Sequence, residues 1–208
     1  MPSLGRLHLI TDTRPGRNPL AVLRAALPVA RSELVVQVRV EDTATDRQAY
    51  DLARRAVTLC AAYGATCLVN DRLHVALAVG AAGGHVGAHD LPVGAARRVL
   101  GSTAVLGATA REPATAAAAV AAGASYLGVG PCHLTSTKTG LPDPIGPAGL
   151  RAVAEAVAVP VIAIGGVTVA AVPGLRAAGA YGVAVVGAVS GAADPARATA
   201  ELLGALTC

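Results

Sequence analysis

The strongest constraint on this chain is an alternation that repeats along its whole length. Short runs of β-branched and apolar residues recur, each followed by a longer segment rich in Ala, Leu and Arg. The strand-like runs are "LHLITD" (7–12), "LVVQVRV" (34–40), "TCLVND" (66–71) and "GHVGA" (84–88), then "AVLGATA" (104–110), "YLGVGP" (126–131), "VPVIAIGG" (159–166) and "GVAVVGAV" (182–189). The segments between them predict helices at about 18–30, 43–63, 72–81, 92–99, 113–122, 147–158 and 169–178, with a last one at 194–206. Asn18-Pro19, Glu112-Pro113, Gly146-Pro147 and Asp194-Pro195 place proline at or near a first helical position, where its missing N–H is harmless. Gly64, Gly123 and Gly179 stand just past helix ends, where a left-handed residue is needed.

Near-continuous apolar strands separated by helices imply a parallel sheet covered on both faces. Eight such units in 208 residues predict one α/β domain over 1–208, a closed (β/α)8 TIM barrel. An open doubly wound sheet is the competing arrangement; the count of eight and the even shortness of the units favour closure. No linker or shift in composition divides the chain.

Composition narrows the partners. The chain is 53% hydrophobic and 14% charged, with 2% aromatic residues and no Trp or Phe. Its core must therefore be Val, Leu, Ile and Ala, and the stacking platforms that hold single-stranded nucleic acid are missing. The net charge of +4 comes mainly from scattered arginines and forms no basic arm, so no nucleic-acid partner is expected. No apolar stretch approaches the roughly 20 unbroken residues that span a bilayer, so no membrane partner is expected either. Cys60, Cys67, Cys132 and Cys208 show no C-x-x-C spacing and read as reduced thiols. The N-terminus enters a strand-like run at once, which leaves no room for a signal peptide and makes the expected location cytoplasmic. A homo-oligomer is compatible with the sequence, which does not specify one.

In such a barrel the chemistry lies where strands end and βα loops begin. Gln37 and Arg39 alternate with valines in "QVRVED", so both face the barrel mouth. An inward arginine needs an anion; a structural ion pair with Glu41 or Asp71 is the alternative. Asn70 and Asp71 end "VND", and Asp90 ends "HVGAHD". Two carboxylates at neighbouring strand ends suit Mg²⁺, which takes one or two carboxylates plus phosphate oxygens. Asp90 as the cap of a helix starting near Pro92 is the plainer reading. His74, His85 and His89 with Asp90 match no firm zinc spacing. After the sixth run comes "GPCHLTSTKTG" (130–140), a hydroxyl- and lysine-bearing loop. Gly165 and Gly166 after the seventh run and Gly187 at the eighth expose backbone N–H groups to a phosphate, or simply make tight turns. Together these groups suit two phosphorylated small molecules handled side by side, with a diphosphate as leaving group.

The order "QxRxx(D)", "VND", "HxGxxD", "GPxxxTSTK" and "AIGG" resembles the thiamine phosphate synthase family, with its relatives the TenI-type thiazole tautomerases, over about residues 7 to 195. The resemblance implies a Mg²⁺-dependent transferase of thiamine biosynthesis. Such an enzyme couples hydroxymethylpyrimidine diphosphate to hydroxyethylthiazole phosphate, or its carboxylated form, and releases pyrophosphate. It also implies roles. Asp71 and Asp90 would be metal ligands, and Gln37, Arg39, Asn70, Thr109 and Lys138 would contact the pyrimidine diphosphate. Arg39, Lys138 and Thr109 would be the catalytic members of that set. Thr135, Ser136 and Thr137 fall on the loop around the thiazole, and Gly166, Val186 and Gly187 on its phosphate cup.

The chain departs from the family pattern at several points. "RVED" stands where "REKD" is usual, so Glu41 replaces a diphosphate-binding lysine. Thr109 and Gly187 each replace a serine, and Cys132-His133 replaces an apolar and an aromatic residue. A tautomerase would need no metal and would carry a histidine after the fifth strand, which "GATARE" lacks. A barrel that binds a thiazole or pyrimidine phosphate without turnover, and a synthase-like enzyme that takes a different substrate pair, are the remaining alternatives.

Overall fold

A computed structural model describes residues 4–135, 137 and 140–207. Eight parallel strands close into a barrel in chain order: β1 (Leu7–Ile10), β2 (Leu34–Val38), β3 (Thr66–Asn70), β4 (Gly83–Val86), β5 (Val105–Ala110), β6 (Tyr126–Val129), β7 (Val161–Ile164) and β8 (Gly182–Val185). The helices α1 (Pro19–Ala30), α2 (Asp46–Ala61), α3 (Leu73–Val79), α4 (Val93–Leu100), α5 (Pro113–Ala121), α6 (Gly146–Glu155) and α7 (Val172–Ala177) follow the first seven strands. A short α8 (Gly187–Ser190) and the longer α9 (Pro195–Thr207) complete the chain. This is the (β/α)8 barrel predicted from the alternation, and the open sheet is ruled out by the pairing of β8 with β1.

Each strand alternates between two cores. On β2, Leu34, Val36 and Val38 face the helices and join the large outer cluster, whereas Val35 lies in an inner cluster with Ile10, Leu68, Tyr126, Ile162 and Ala184. All five residues of β2, the polar Gln37 included, are buried, so the strand is covered on both faces rather than amphipathic. Local signals set the helix starts. Thr45 and Gln48 form a reciprocal capping box at α2, and Asn18 Oδ1 accepts from Ala21 N at 3.1 Å ahead of Pro19. Gly64, Gly123 and Gly179 adopt φ of 67°, 104° and 94°, as their places after helices required.

All strands except β5, which ends at Ala110 as expected, stop earlier at their C-terminal ends than the apolar runs suggest. The eighth run, expected as strand through 189, leaves the sheet at Val185, and Gly187–Ser190 makes one helical turn. A short apolar run does not distinguish a strand from a buried turn of helix. Nor is α6 entered directly: Ile145 N first donates to Pro131 O at 2.9 Å, tying the long loop after β6 to that strand's end.

Polar side chains also enter the barrel. His8 on β1 is 1% exposed, and its ring lies 5.1 Å from that of Tyr126. Burial, with the neighbouring His85 adding to it, lowers the His8 pKa to about 3, and burial lowers that of His85 to about 4. Both rings are therefore neutral in the folded protein. The unfolded chain takes up protons below its ordinary histidine value near 6.5 while the native rings do not, so folding stability is complete above that pH and falls as pH drops toward 4. Urea unfolding should show a loss on the order of a few kcal/mol between pH 7 and pH 4.5. The His8→Leu variant should show a visibly shallower pH dependence; an unchanged slope would contradict this account.

Candidate active site

The C-terminal ends of β2 to β5 present most of the polar residues anticipated from the sequence. Gln37, buried at the end of β2, donates from Nε2 to Asn70 Oδ1 at 2.6 Å, joining two predicted substrate contacts across neighbouring strands. Arg39 lies just beyond β2. Its backbone is clamped by the Thr11 hydroxyl, which donates to Arg39 O at 2.7 Å and accepts from Arg39 N at 2.8 Å. Its guanidinium faces Glu41 at 3.8 Å and Asp42 at 3.9 Å, so the ion-pair alternative is present in loose form, with Asp42 rather than Asp71 as the second partner. These distances and the exposure of both carboxylates make weak pairs, and the guanidinium keeps its capacity to bind an anion.

Asp71 follows β3 with φ of 61°, a left-handed conformation that Asp tolerates better than most residues. Its N–H donates to His85 O at 2.9 Å, which continues the β3–β4 ladder by one residue. Asp90 does not cap α4, whose start at Val93 carries no side-chain cap; its Oδ2 instead accepts from Gly87 N at 2.6 Å within the loop after β4. Thr109, near the end of β5, has its Oγ1 3.0 Å from His85 Nε2, and His85 Nδ1 lies 3.0 Å from the Tyr126 hydroxyl. This buried histidine takes no part in a zinc cluster: His74 pairs with Asp46 at 3.1 Å on the surface, and no group of three or more His, Cys, Asp or Glu that could hold a metal occurs among the described residues.

The other half of the mouth is built from β6, β7 and β8. Cys132 N donates to Ile164 O at 2.7 Å and His133 N to Gly165 O at 3.0 Å, so the loop after β6 is stitched to the end of β7. Gly165 and Gly166 have φ of 92° and 62°, and a side chain on Gly166 would strike the backbone of Leu134. Thr135 Oγ1 accepts from Thr137 N at 3.3 Å, and the two hydroxyls lie 3.3 Å apart. A Cβ built on Gly187 would be 3.8 Å from Thr137 Oγ1, so this loop reaches the end of β8 beside Val186 and Gly187. Ser136 and Lys138 lie outside the described residues. Cys132 is a packing residue: it is buried, its thiol donates to Val129 O at 3.4 Å, and burial raises its pKa to about 11.

A family model described as thiamine monophosphate synthase matches residues 7–189. The chain belongs to that family. A thiamine-phosphate synthase of Salinispora arenicola is 79% identical over 208 residues, covering all of both chains, and one of Salinispora tropica is 77% identical over 207 residues, again with full coverage. Among solved structures, a thiamine phosphate pyrophosphorylase from Pyrococcus furiosus superposes with a TM-score of 0.87 at 33% identity, covering 97% of this chain and 95% of its own.

Family members of this kind invite the question of a divalent cation. The candidate donors are Asp71 and Asp90, carboxylates just past the ends of the adjacent strands β3 and β4, and among the described residues they belong to no group of three or more His, Cys, Asp or Glu that would make a closed cage. That donor set fits a hard cation of the Mg²⁺ type, which completes its shell with water and substrate oxygens. It does not suit a structural zinc.

Two features of the mouth escaped the sequence reading. The first is the His85–Tyr126 pair. A Cβ on Gly107 would overlap the Tyr126 ring and His85 Nδ1, and one on Gly128 would sit 3.1 Å from His85 Cε1, so these two inward glycines create the space the imidazole occupies. The only signal in sequence was their place in strand-like runs, where glycine often marks a close approach. The second is Asp12 after β1. Its carboxylate, 2% exposed, accepts from Arg14 Nε at 2.9 Å and NH2 at 2.8 Å, accepts from Ser190 Oγ at 3.2 Å, and lies 3.4 Å from Arg17. The bidentate Arg14 contact, with the other donors, holds its pKa down at about 2 despite burial. Gly107→Ala should destabilise the fold by about 1–3 kcal/mol in urea unfolding, because the added methyl has no space to enter. Gly94→Ala, at a half-buried position of α4 where the added Cβ would meet nothing nearer than the Arg98 guanidinium at 4.0 Å, should stay within about 0.5 kcal/mol or improve stability.

Proposed function

We propose that the chain is a thiamine phosphate synthase, a transferase that couples hydroxymethylpyrimidine diphosphate to hydroxyethylthiazole phosphate, or its carboxylated form, and releases pyrophosphate. The observation that carries this reading is that two chemically different half-sites share one barrel mouth. Carboxylates, an arginine and amide groups occupy the ends of β2 to β5. Paired threonine hydroxyls meet the glycine-rich ends of β7 and β8 on the other side. One half suits a diphosphate and the other a monophosphate. The family and the identity to the Salinispora synthases support the same assignment.

The residues then divide the work. Gln37 and Asn70, already bonded to each other, present the remaining amide groups to the pyrimidine end of the substrate. Arg39, together with Lys138, meets the diphosphate and stabilises charge as it leaves. Thr109 donates to the same leaving group. Asp71 and Asp90 would hold Mg²⁺, and neutralisation of the diphosphate oxygens is the chemistry that ion supplies when bound. On the opposite side, Thr135, Ser136 and Thr137 surround the thiazole while backbone N–H groups at Gly166, Val186 and Gly187 receive its phosphate. The C–O bond to the diphosphate breaks with its electron pair leaving on oxygen, and the thiazole nitrogen lone pair forms the new C–N bond to the pyrimidine methylene carbon. Holding both partners side by side, away from water, is the larger part of the catalysis.

Pyrophosphate release should require both precursors and Mg²⁺, and a chelator should stop it. Asp71→Asn or Asp90→Asn should lower kcat/KM by about a hundredfold at fixed Mg²⁺ while leaving the fold intact. No pyrophosphate from the wild-type chain with both substrates and Mg²⁺ would sink the synthase reading.

Glu41 gives a separate test. Its side chain is 40% exposed, its N–H is held by Thr13 Oγ1 at 3.1 Å, and its carboxylate faces Arg39. A negative charge there opposes a diphosphate, though solvent screens it. Glu41→Lys should raise kcat/KM by a few-fold to about tenfold, mainly through a lower KM for the pyrimidine diphosphate. Unchanged or lower activity would mean that Glu41 has another role, or that position 41 does not meet the diphosphate.

A further inference from the structure

We propose that Tyr126 and His85 are positioning residues for Thr109: they form a directional hydrogen-bond chain that turns the Thr109 hydroxyl proton toward the barrel mouth. The inference rests on the synthase reading only for the identity of the group that proton meets.

The direction follows from counting donors and acceptors. Tyr126 is 1% exposed, and its hydroxyl has one hydrogen-bond partner among the described residues, His85 Nδ1 at 3.0 Å. The other ring against it is His8, whose Nε2 has no partner among the described residues, so the phenol proton is not given there. A buried O–H without an acceptor costs about 1–3 kcal/mol. Tyr126 therefore donates to Nδ1, and Nδ1 carries a lone pair. Neutral imidazole has one N–H, so that proton sits on Nε2 and is donated to Thr109 Oγ1 at 3.0 Å. Thr109 accepts from His85 and keeps its own proton for a ligand.

The opposite polarity fails twice. With Nδ1 protonated, the phenol proton would have no acceptor, and Thr109 would donate to Nε2. It would then offer only lone pairs to the mouth, which repel an anionic oxygen. The tautomer is assigned by the network, and the space for the ring is fixed by Gly107 and Gly128. Thr109, next to last in β5, is the direct register partner of Gly128 on β6, and His85 is that of Gly107 on β5, so the chain runs from the barrel interior to its rim across three adjacent strands.

The decisive measurement is the nitrogen NMR of His85 in ligand-free protein labelled with ¹⁵N-histidine. Nε2–H with an accepting Nδ1 is expected; an Nδ1–H tautomer overturns the proposal whatever the enzyme does. In turnover, Tyr126→Phe should lower kcat about ten- to a hundredfold, the range for groups that act by orienting a direct contact. The KM for the thiazole phosphate should not move, and the Nε2–H signature of His85 should be lost. Full kcat in a folded Tyr126→Phe protein overturns the proposal. Thr109→Ser should retain activity within about threefold and Thr109→Val should lose it, a comparison that stands if Tyr126→Phe does not fold; equal activity of the two overturns the proposal. Absence of turnover in the wild type would count against the synthase reading, and the tautomer measurement would still decide this one.

Discussion

Closure of the seam between β1 and β8 is the constraint from which the rest of the structure follows. A parallel sheet left open would expose two strand edges and part of its inner face. Here Leu7, His8 and Leu9 pair with Val183, Ala184 and Val185, and the last strand is returned to the first. The seam is fastened beyond both ends of the ladder. Tyr181 donates its hydroxyl to Leu4 O at 2.7 Å on one side, and Asp12 accepts from Ser190 on the other. Outside, α9 packs against α1 and continues the helical ring. Because Ser190 belongs to the turn that follows Val186 and Gly187, the same fastening that closes the barrel also sets the place of the proposed phosphate cup.

Closure creates a second requirement, that the interior be filled without Phe or Trp. Aliphatic residues fill part of it, and Tyr126 with the two histidines fills more. Polar rings in such a position are tolerable only when neutral and hydrogen-bonded. Burial enforces neutrality at His8 and His85, and it also pushes the Tyr126 phenol up, so that it remains a donor. The interior is thus a packed core that carries directional hydrogen bonds toward its rim. His8 is the exception, with Nε2 lacking a partner among the described residues.

The separation between legible and hidden features follows sequence distance. The strand and helix order, the proline starts and the glycine stops depend on residues within a few positions of one another, and a periodic pattern displays them. Gln37 and Asn70 were each readable as strand-end polar groups, yet their bond joins positions 33 residues apart. The His85–Tyr126 contact spans 41 residues and the Asp12–Ser190 contact 178. Neither leaves a trace in local composition. His85 was visible only as a member of an unconvincing metal set, because a histidine's role depends on which side chain faces each nitrogen. Asp90 shows the converse: local chemistry suggested a helix cap, whereas the loop after β4 folds its carboxylate back onto Gly87. The α8 turn carries no distinguishing periodicity in its four residues, Gly187–Ser190, which continue an apolar run.

Glu41 brings these levels together at one position. Read alone, it reverses a charge where a diphosphate is expected to bind. In the structure it is not an isolated carboxylate: Arg39 faces it at 3.8 Å, and its field raises the pKa of Arg14, whose own pairing is mainly with Asp12. Arg14 is fixed through Nε and NH2, so Asp12 holds that guanidinium beside the mouth without drawing it into the interior. The rim near β1 and β2 therefore carries arginines on two loops, both close to Glu41, rather than one cation at position 41. An incoming diphosphate and Glu41 would compete for the same guanidiniums. The exposed, weakly paired carboxylate is the one that can move aside, since solvent compensates it and the pair itself contributes little. On this argument the reversed charge at 41 weakens binding by a modest factor rather than abolishing it. It does so without disturbing Arg39, whose backbone is anchored by Thr11 independently of what stands at 41.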